Sequence, residues 1–126
     1  MKLLKSMTTP YELSLRLKEL GVEQKNGEYY WERYMDWVKD ENGEYNEDYV
    51  IEVINKDNFC FTEDTILCRA FTLGELVREL PDGTTIKKRM HNAYTAEVYW
   101  QNGDVIKDSP EEAAGELYYE ILKSKL

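Results

Sequence analysis

Three stretches of the chain repeat apolar residues at helical spacing, and each opens with the same polar signal. "TPYE" (9–12), "TLGE" (72–75) and "SPEE" (109–112) place Thr or Ser three residues before Glu. This is the pattern of a capping box, in which hydroxyl and carboxylate satisfy the first free amides of a helix. Two of the three add proline at the first helical position, where its missing N–H costs nothing. The spacing predicts a first helix over about 10–20, with Leu13, Leu17 and Leu20 on one face and Arg16, Lys18 and Glu19 toward water. "LGV" (20–22) stops it, Gly21 taking the left-handed position and Val22 packing back on Leu17. A second helix, about 73–80, presents Leu73, Leu76, Val77 and Leu80 and ends at Pro81. Gly74 in its first turn predicts close approach of Phe71 or a strand, in preference to amides left open for an anion, because Glu75 already supplies negative charge there. A third helix, about 110–124, carries Ala113, Ala114, Leu117, Tyr118, Ile121 and Leu122 on a stripe wide enough to lie on a sheet.

Between the helices the period shortens toward two. "EYYWERYMDWV" (28–38) alternates Tyr29, Trp31, Met35 and Trp37 against Tyr30, Glu32, Tyr34 and Asp36. "DENGE" (40–44) reads as a turn and "DYVIEVI" (48–54) as the returning strand. "GTTIKKRM" (83–90) and "YTAEVYWQ" (94–101) form a second pair, and "NG" at 102–103 supports a tight hairpin into "DVI". Residues 55–70 fit either a strand or an irregular loop. Hairpin-linked strands with helices at the ends predict an α+β fold, an antiparallel sheet of about 4–6 strands with the three helices packed mainly on one face. With no linker, repeat or low-complexity tract, the whole of 1–126 reads as a single domain.

Composition narrows the function classes. Net charge is −9 and charge of both signs is spread along the chain. That balance disfavours nonspecific nucleic-acid binding, which depends on Lys and Arg neutralising phosphates. The opening "MKLLKSM" has too short an apolar run for an export signal, and no stretch approaches a membrane span, so the reading is a cytoplasmic protein. Cys60 and Cys68 then read as reduced thiols. With His91 they fall short of a four-ligand zinc site, and no phosphate loop, nucleophile elbow or "HExxH" is present. No catalytic residue, metal or cofactor is therefore assigned.

Two features stand out as candidate binding surfaces. "KKRMH" (87–91) is the one local basic cluster, and a strand would put Lys87, Arg89 and His91 on one face. Such a stripe holds an anionic ligand, or pairs with Glu97 across the hairpin. The second feature is the aromatic strand, in a chain with ten tyrosines and three tryptophans. With Tyr29, Trp31 and Trp37 packed inward, Tyr30 and Tyr34 are left outside, as an interface or as a partly covered sheet face.

"YELSLRLKELGVEQ" (11–24), followed by "YYW" (29–31), resembles the N-terminal signature of a family of small uncharacterised phage and prophage proteins. "LCRAFTLGELVRELP" (67–81) resembles their central Cys-x-Ala-Phe-Thr motif closing in Leu-Pro, and the alanines of the last helix also fit. Residues 39–66 and the "KKRMH" strand lie outside that signature. The resemblance implies a bacterial host cytoplasm, no established activity and no catalytic residue to carry over. Together these readings point to a noncatalytic protein–protein interaction module contacting a host or phage protein, with oligomeric state open and a homodimer among the options. The alternatives are a binder of a small anionic metabolite or nucleotide near Lys87, Arg89 and the aromatics, an acidic DNA mimic, and an enzyme without a recognisable motif.

Overall fold

The computed structural model describes residues 6–57, 65–90, 93–98 and 105–126. Its elements follow the predicted order: α1 (Tyr11–Glu19), β1 (Tyr29–Lys39), β2 (Tyr45–Asn55), β3 (Ile66–Ala70), α2 (Leu73–Glu79), β4 (Thr84–Met90), β5 (Ala93–Val98), β6 (Val105–Lys107) and α3 (Pro110–Ser124). The ambiguous 55–70 segment contributes β3, while the "NG" turn at 102–103 lies outside the described residues. The fold is α+β with antiparallel pairing throughout.

The strands divide between two three-stranded sheets, β2-β1-β3 and β4-β5-β6. This differs from a single sheet with helices on one face, because α1 has two apolar sides. Leu13 and Leu17 join Phe71, Leu76, Ala96, Ala113, Ala114, Leu117 and Ile121 in the larger core. Tyr11 and Leu15 pack instead on Trp31, Val53, Cys68 and Ala70. The first helix thus lies between one sheet and α3, and α3 in turn covers the second sheet.

Local signals hold where their partners are near in sequence. Gly21 has φ 93°, and the amides of Gly21 and Val22 bond the carbonyls of Lys18 (3.0 Å) and Leu17 (3.2 Å). That is the Schellman closure foreseen for "LGV". Thr72 and Glu75 form the full reciprocal capping box, and the Ser109 hydroxyl accepts the Glu112 amide at 3.1 Å. Thr9 departs from the pattern. Its hydroxyl accepts the Phe71 amide at 3.1 Å and lies 2.6 Å from the Ser14 hydroxyl, so Pro10 takes the N-cap position without a side-chain cap. Gly74 also departs from expectation: it is exposed, and a Cβ there would meet nothing within 4 Å. The buried side of α2 is that of Leu76 and Leu80, and Gly74 faces away from it.

The close approach lies at Gly115, buried in α3 against α1. A Cβ there would come 2.7 Å from Leu13 Cδ2 and 2.9 Å from Thr9 Cγ2, both in fully buried side chains. Beside it, Arg16 pairs with Glu116, and its guanidinium lies 4.7 Å from the centre of the Tyr119 ring. On β3, Arg69 ties the start of α2 to the α1–β1 loop. It pairs with Glu75 at 2.6 Å, donates to the Glu23 carbonyl at 3.2 Å and stacks 4.5 Å over Phe71. Burial works against the charge of Glu75, but the Thr72 amide and the Arg69 guanidinium outweigh it and hold the carboxyl below its ordinary range.

Gly115→Ala is expected to lower stability by about 1–3 kcal/mol through overpacking, despite the better helix propensity of alanine. Gly74→Ala should leave it unchanged or raise it by up to about 1 kcal/mol. Denaturant midpoints of the two variants check both, and a Gly115→Ala midpoint equal to the parent's contradicts the close approach. Because its folded-state pKa is depressed, Glu75 contributes stability that is complete above pH 4.5 and lost as pH falls through the lowered value. Glu75→Gln should therefore flatten the acid limb of the stability–pH curve, measured by denaturant titration across that range.

Candidate functional site

β1 and β2 are paired residue for residue from Tyr29↔Asn55 to Lys39↔Tyr45, whereas β3 reaches along β1 only to Glu32. Among the described residues, the hairpin therefore extends from Arg33 outward as a two-stranded arm of roughly 20 Å, at about 3.3 Å per residue. Its tip is well specified. The Asp40 carboxylate accepts the amides of Asn42 and Glu44 and the side-chain amide of Asn46, each at 2.9 Å. Gly43 supplies the positive φ of 83° that the turn requires.

Alternation places Trp31, Arg33, Met35, Trp37 and Lys39 on one face, opposite Val53, Ile51, Tyr49, Glu47 and Tyr45. At its inner end this face belongs to the core. The Tyr11 ring meets Trp31 edge-on with centroids 5.7 Å apart, and the indole N–H donates toward the Thr9 carbonyl and Ser14 hydroxyl, both at 3.2 Å. Farther out the covering stops, and Met35, Trp37, Tyr45, Tyr49 and Ile51 are 41–64% exposed. The Arg33 guanidinium lies over the Tyr49 ring at 4.8 Å. An apolar, aromatic surface with a cation stacked on it thus continues directly from a packed core into solvent.

The opposite face has a different chemistry. Tyr30, expected outside, is buried: its hydroxyl donates to the Gln24 carbonyl at 2.8 Å and accepts the Gly27 amide at 3.1 Å. The α1–β1 loop covers that end of the strand, so Tyr30 secures the loop. Tyr34 is half-buried and donates to Glu52 at 2.8 Å, a bond to the carboxylate that pushes its pKa up to about 12. Beside it, Glu32 is buried and accepts the Thr65 hydroxyl at 2.6 Å. Glu32 stands opposite Glu52, and Asp36 opposite Asp48, so this face carries two ranks of paired carboxylates.

The remaining expected site residues lie elsewhere. Lys87 is within 3.7 Å of Glu97, and Arg89 donates from Nε to the Thr95 hydroxyl at 3.2 Å. This is the cross-strand pairing that formed one of the two readings of "KKRMH". Both residues are on β4, in a different sheet from Tyr30 and Tyr34. His91 and Cys60 lie outside the described residues. Cys68 is a buried free thiol whose pKa burial raises to about 11, which leaves it little thiolate. Among the described residues, no group of three or more His, Cys, Asp or Glu is placed to hold a metal ion, and no helix is long and apolar enough to cross a membrane.

The aromatic face gathers residues that the strand pattern did not single out, chiefly Tyr45, Tyr49 and Ile51 of β2. The turn at 40–44 carried the missing signal. Once Lys39 is paired with Tyr45 across it, register alone sets Met35 opposite Tyr49 and Arg33 opposite Ile51.

Tyr30→Phe separates a structural tyrosine from a binding one. Loss of its two hydroxyl bonds should cost about 1–3 kcal/mol of stability while leaving the exposed face of the arm unchanged. Thermal melts check the first part, and an unchanged midpoint would remove the anchoring role. Comparison of the chain with known protein families, with curated proteins and with solved structures finds no match.

Proposed function

We propose that the chain is a noncatalytic protein–protein interaction module whose docking surface is the aromatic face of the β1–β2 arm. One observation carries this reading. Met35, Trp37, Tyr45, Tyr49 and Ile51 share a face continuous with the buried Trp31–Val53 pair, and that face runs out into solvent. Contiguous exposed apolar surface of this kind marks interaction sites, and Trp, Tyr and Arg dominate their binding energy. The arm provides all three, held on a strand pair with an ordered tip rather than on a mobile loop. The resemblance to phage and prophage proteins supports a host or phage protein as the partner, inside a bacterial cytoplasm.

The other readings draw less support. For an anionic ligand, Lys87 and Arg89 already have partners in Glu97 and Thr95, and the tyrosines are in the other sheet. For an acidic DNA mimic, the arm carries one rank of paired carboxylates, Asp36 and Asp48, and hydroxyls bond the pair at its base, Glu32 and Glu52.

The test is affinity capture with the tagged chain, from bacterial cells that also express the untagged chain, comparing the parent with Trp37→Ser/Tyr49→Ser. The parent should retain a defined protein, and the double variant should recover it at least about tenfold less, as truncation of interface anchors does. Matching thermal melts would show that the variant is folded. Failure of the parent to retain any protein at any ionic strength would overturn the reading.

A further inference from the structure

We infer that the protein seated on the aromatic face is a second copy of this chain, the two arms packing face to face about a two-fold axis. The inference rests on the arm being the docking surface, and it names the occupant.

Area is the first argument. Trp37, Tyr45 and Tyr49 are each 61–64% exposed, and Met35 and Ile51 add to them. Taking about 150–250 Å² for a whole aromatic side chain, the face exposes on the order of 500 Å² of apolar surface. Two copies covering each other would bury about 1,000 Å² in all, the least that a biological interface buries and the size of a weak, reversible contact.

Shape is the second. The face ends at a step, because α1 stands on its inner end over Trp31. Stacked sheets lie about 10 Å apart, and a helix with its side chains is about 10–12 Å thick. Among the described residues, the exposed part of the face beyond α1 is two strands wide and roughly 20 Å long at strand rise. Those are the dimensions of the arm itself.

The position of α1 also orients the pair. If the arms ran in the same direction, the two first helices would collide. The axis therefore crosses the strands, and the tip of each arm reaches the α1 step of the other. In that arrangement Met35 of one copy meets Trp37 of the other, and Ile51 meets Tyr45. Sulfur–aromatic and aliphatic–aromatic contacts of this kind are favourable. The same register sets Arg33 of one copy at the other arm's Lys39 end, next to the acidic turn 40–44, and Tyr49 opposite Glu47. The contact is isologous, so it closes at two copies, and the faces carrying the paired carboxylates remain in water.

Sedimentation velocity of the full chain, from low micromolar to several hundred micromolar, tests this. The expected result is a concentration-dependent shift from the mass of one chain to the mass of two. Added salt should strengthen it, because the contact is apolar and each copy carries a net charge of −9. Trp37→Glu should raise the dissociation constant at least about tenfold, whereas Val77→Glu, at an exposed apolar position on α2, should leave it unchanged. Dilution of the unaltered chain gives a reading that depends on no variant: tryptophan emission should shift to the red as Trp37 re-enters water. A single-chain mass at every concentration overturns the inference, as does a dimer that Trp37→Glu leaves intact. If the chain is monomeric yet capture still depends on Trp37 and Tyr49, the occupant is another protein and the interaction-module reading stands. If neither a copy nor another protein binds, both fall.

Discussion

Thr9 lies where the two halves of the molecule meet, and all of its polar groups join segments that are far apart in the chain. Its amide donates to the Phe71 carbonyl at 2.9 Å, and its hydroxyl accepts the Phe71 amide at 3.1 Å. Its carbonyl accepts the Trp31 indole N–H at 3.2 Å, and its hydroxyl is 2.6 Å from that of Ser14. Thr9 and Ser14 are fully buried, so these groups have no recourse to water. Each satisfied bond adds about 1 kcal/mol net, whereas a buried group left unpaired costs about 1–3 kcal/mol. The geometry of α1, β1 and the start of α2 is therefore mutually enforced: moving one strands polar atoms of another. The same residue presses its methyl group toward Gly115, so the hydrogen-bond node also sets how closely α3 approaches.

From that node follows the property on which function turns. The node holds α1 over Trp31 and Val53, and the helix is short, ending at Glu19. The β1–β2 hairpin is longer than its cover. One continuous face is consequently core at one end, at Trp31 and Val53, and exposed at the other, where Arg33, Lys39 and Glu47 join the aromatic residues. A hydrophobic strand face left open is a liability for a soluble chain unless something covers it. The well-bonded turn at Asp40 maintains the arm as a rigid element, which lowers the ordering cost of docking.

The reverse face of the hairpin carries the opposite chemistry. Its carboxylates stand opposite one another across the strands, an arrangement that costs stability on an isolated hairpin. Tyr34 and Thr65 relieve the inner pair by donating hydroxyl hydrogens to Glu52 and Glu32. The outer pair, Asp36 and Asp48, accepts the backbone amides of Trp37 and Tyr49. One side of the arm is thereby charged and hydrogen-bonded and the other largely apolar.

The elements other than β3, their order and several of their ends were legible in the sequence because their determinants lie within a few residues. The Thr72–Glu75 box, the Gly21 closure and the Asp40–Glu44 turn each need only neighbours to form. Strand alternation likewise put Trp31 and Trp37 on a common face. What alternation could not convey is that only Trp31 is covered, since this depends on where a helix from another part of the chain comes to rest. Tyr30 was misplaced for the same reason, its partners being a loop folded over the strand end. Thr9 carried a helix-cap signature, but its hydroxyl was taken by Phe71, 62 positions away. The division into two sheets was equally hidden, because one packs on α1 and the other on α3, elements distant in the chain. Short-range hydrogen bonding and hydrophobic period set the parts of this protein. Long-range competition for buried polar groups and for covering surface decided which aromatic residues became core and which stayed exposed.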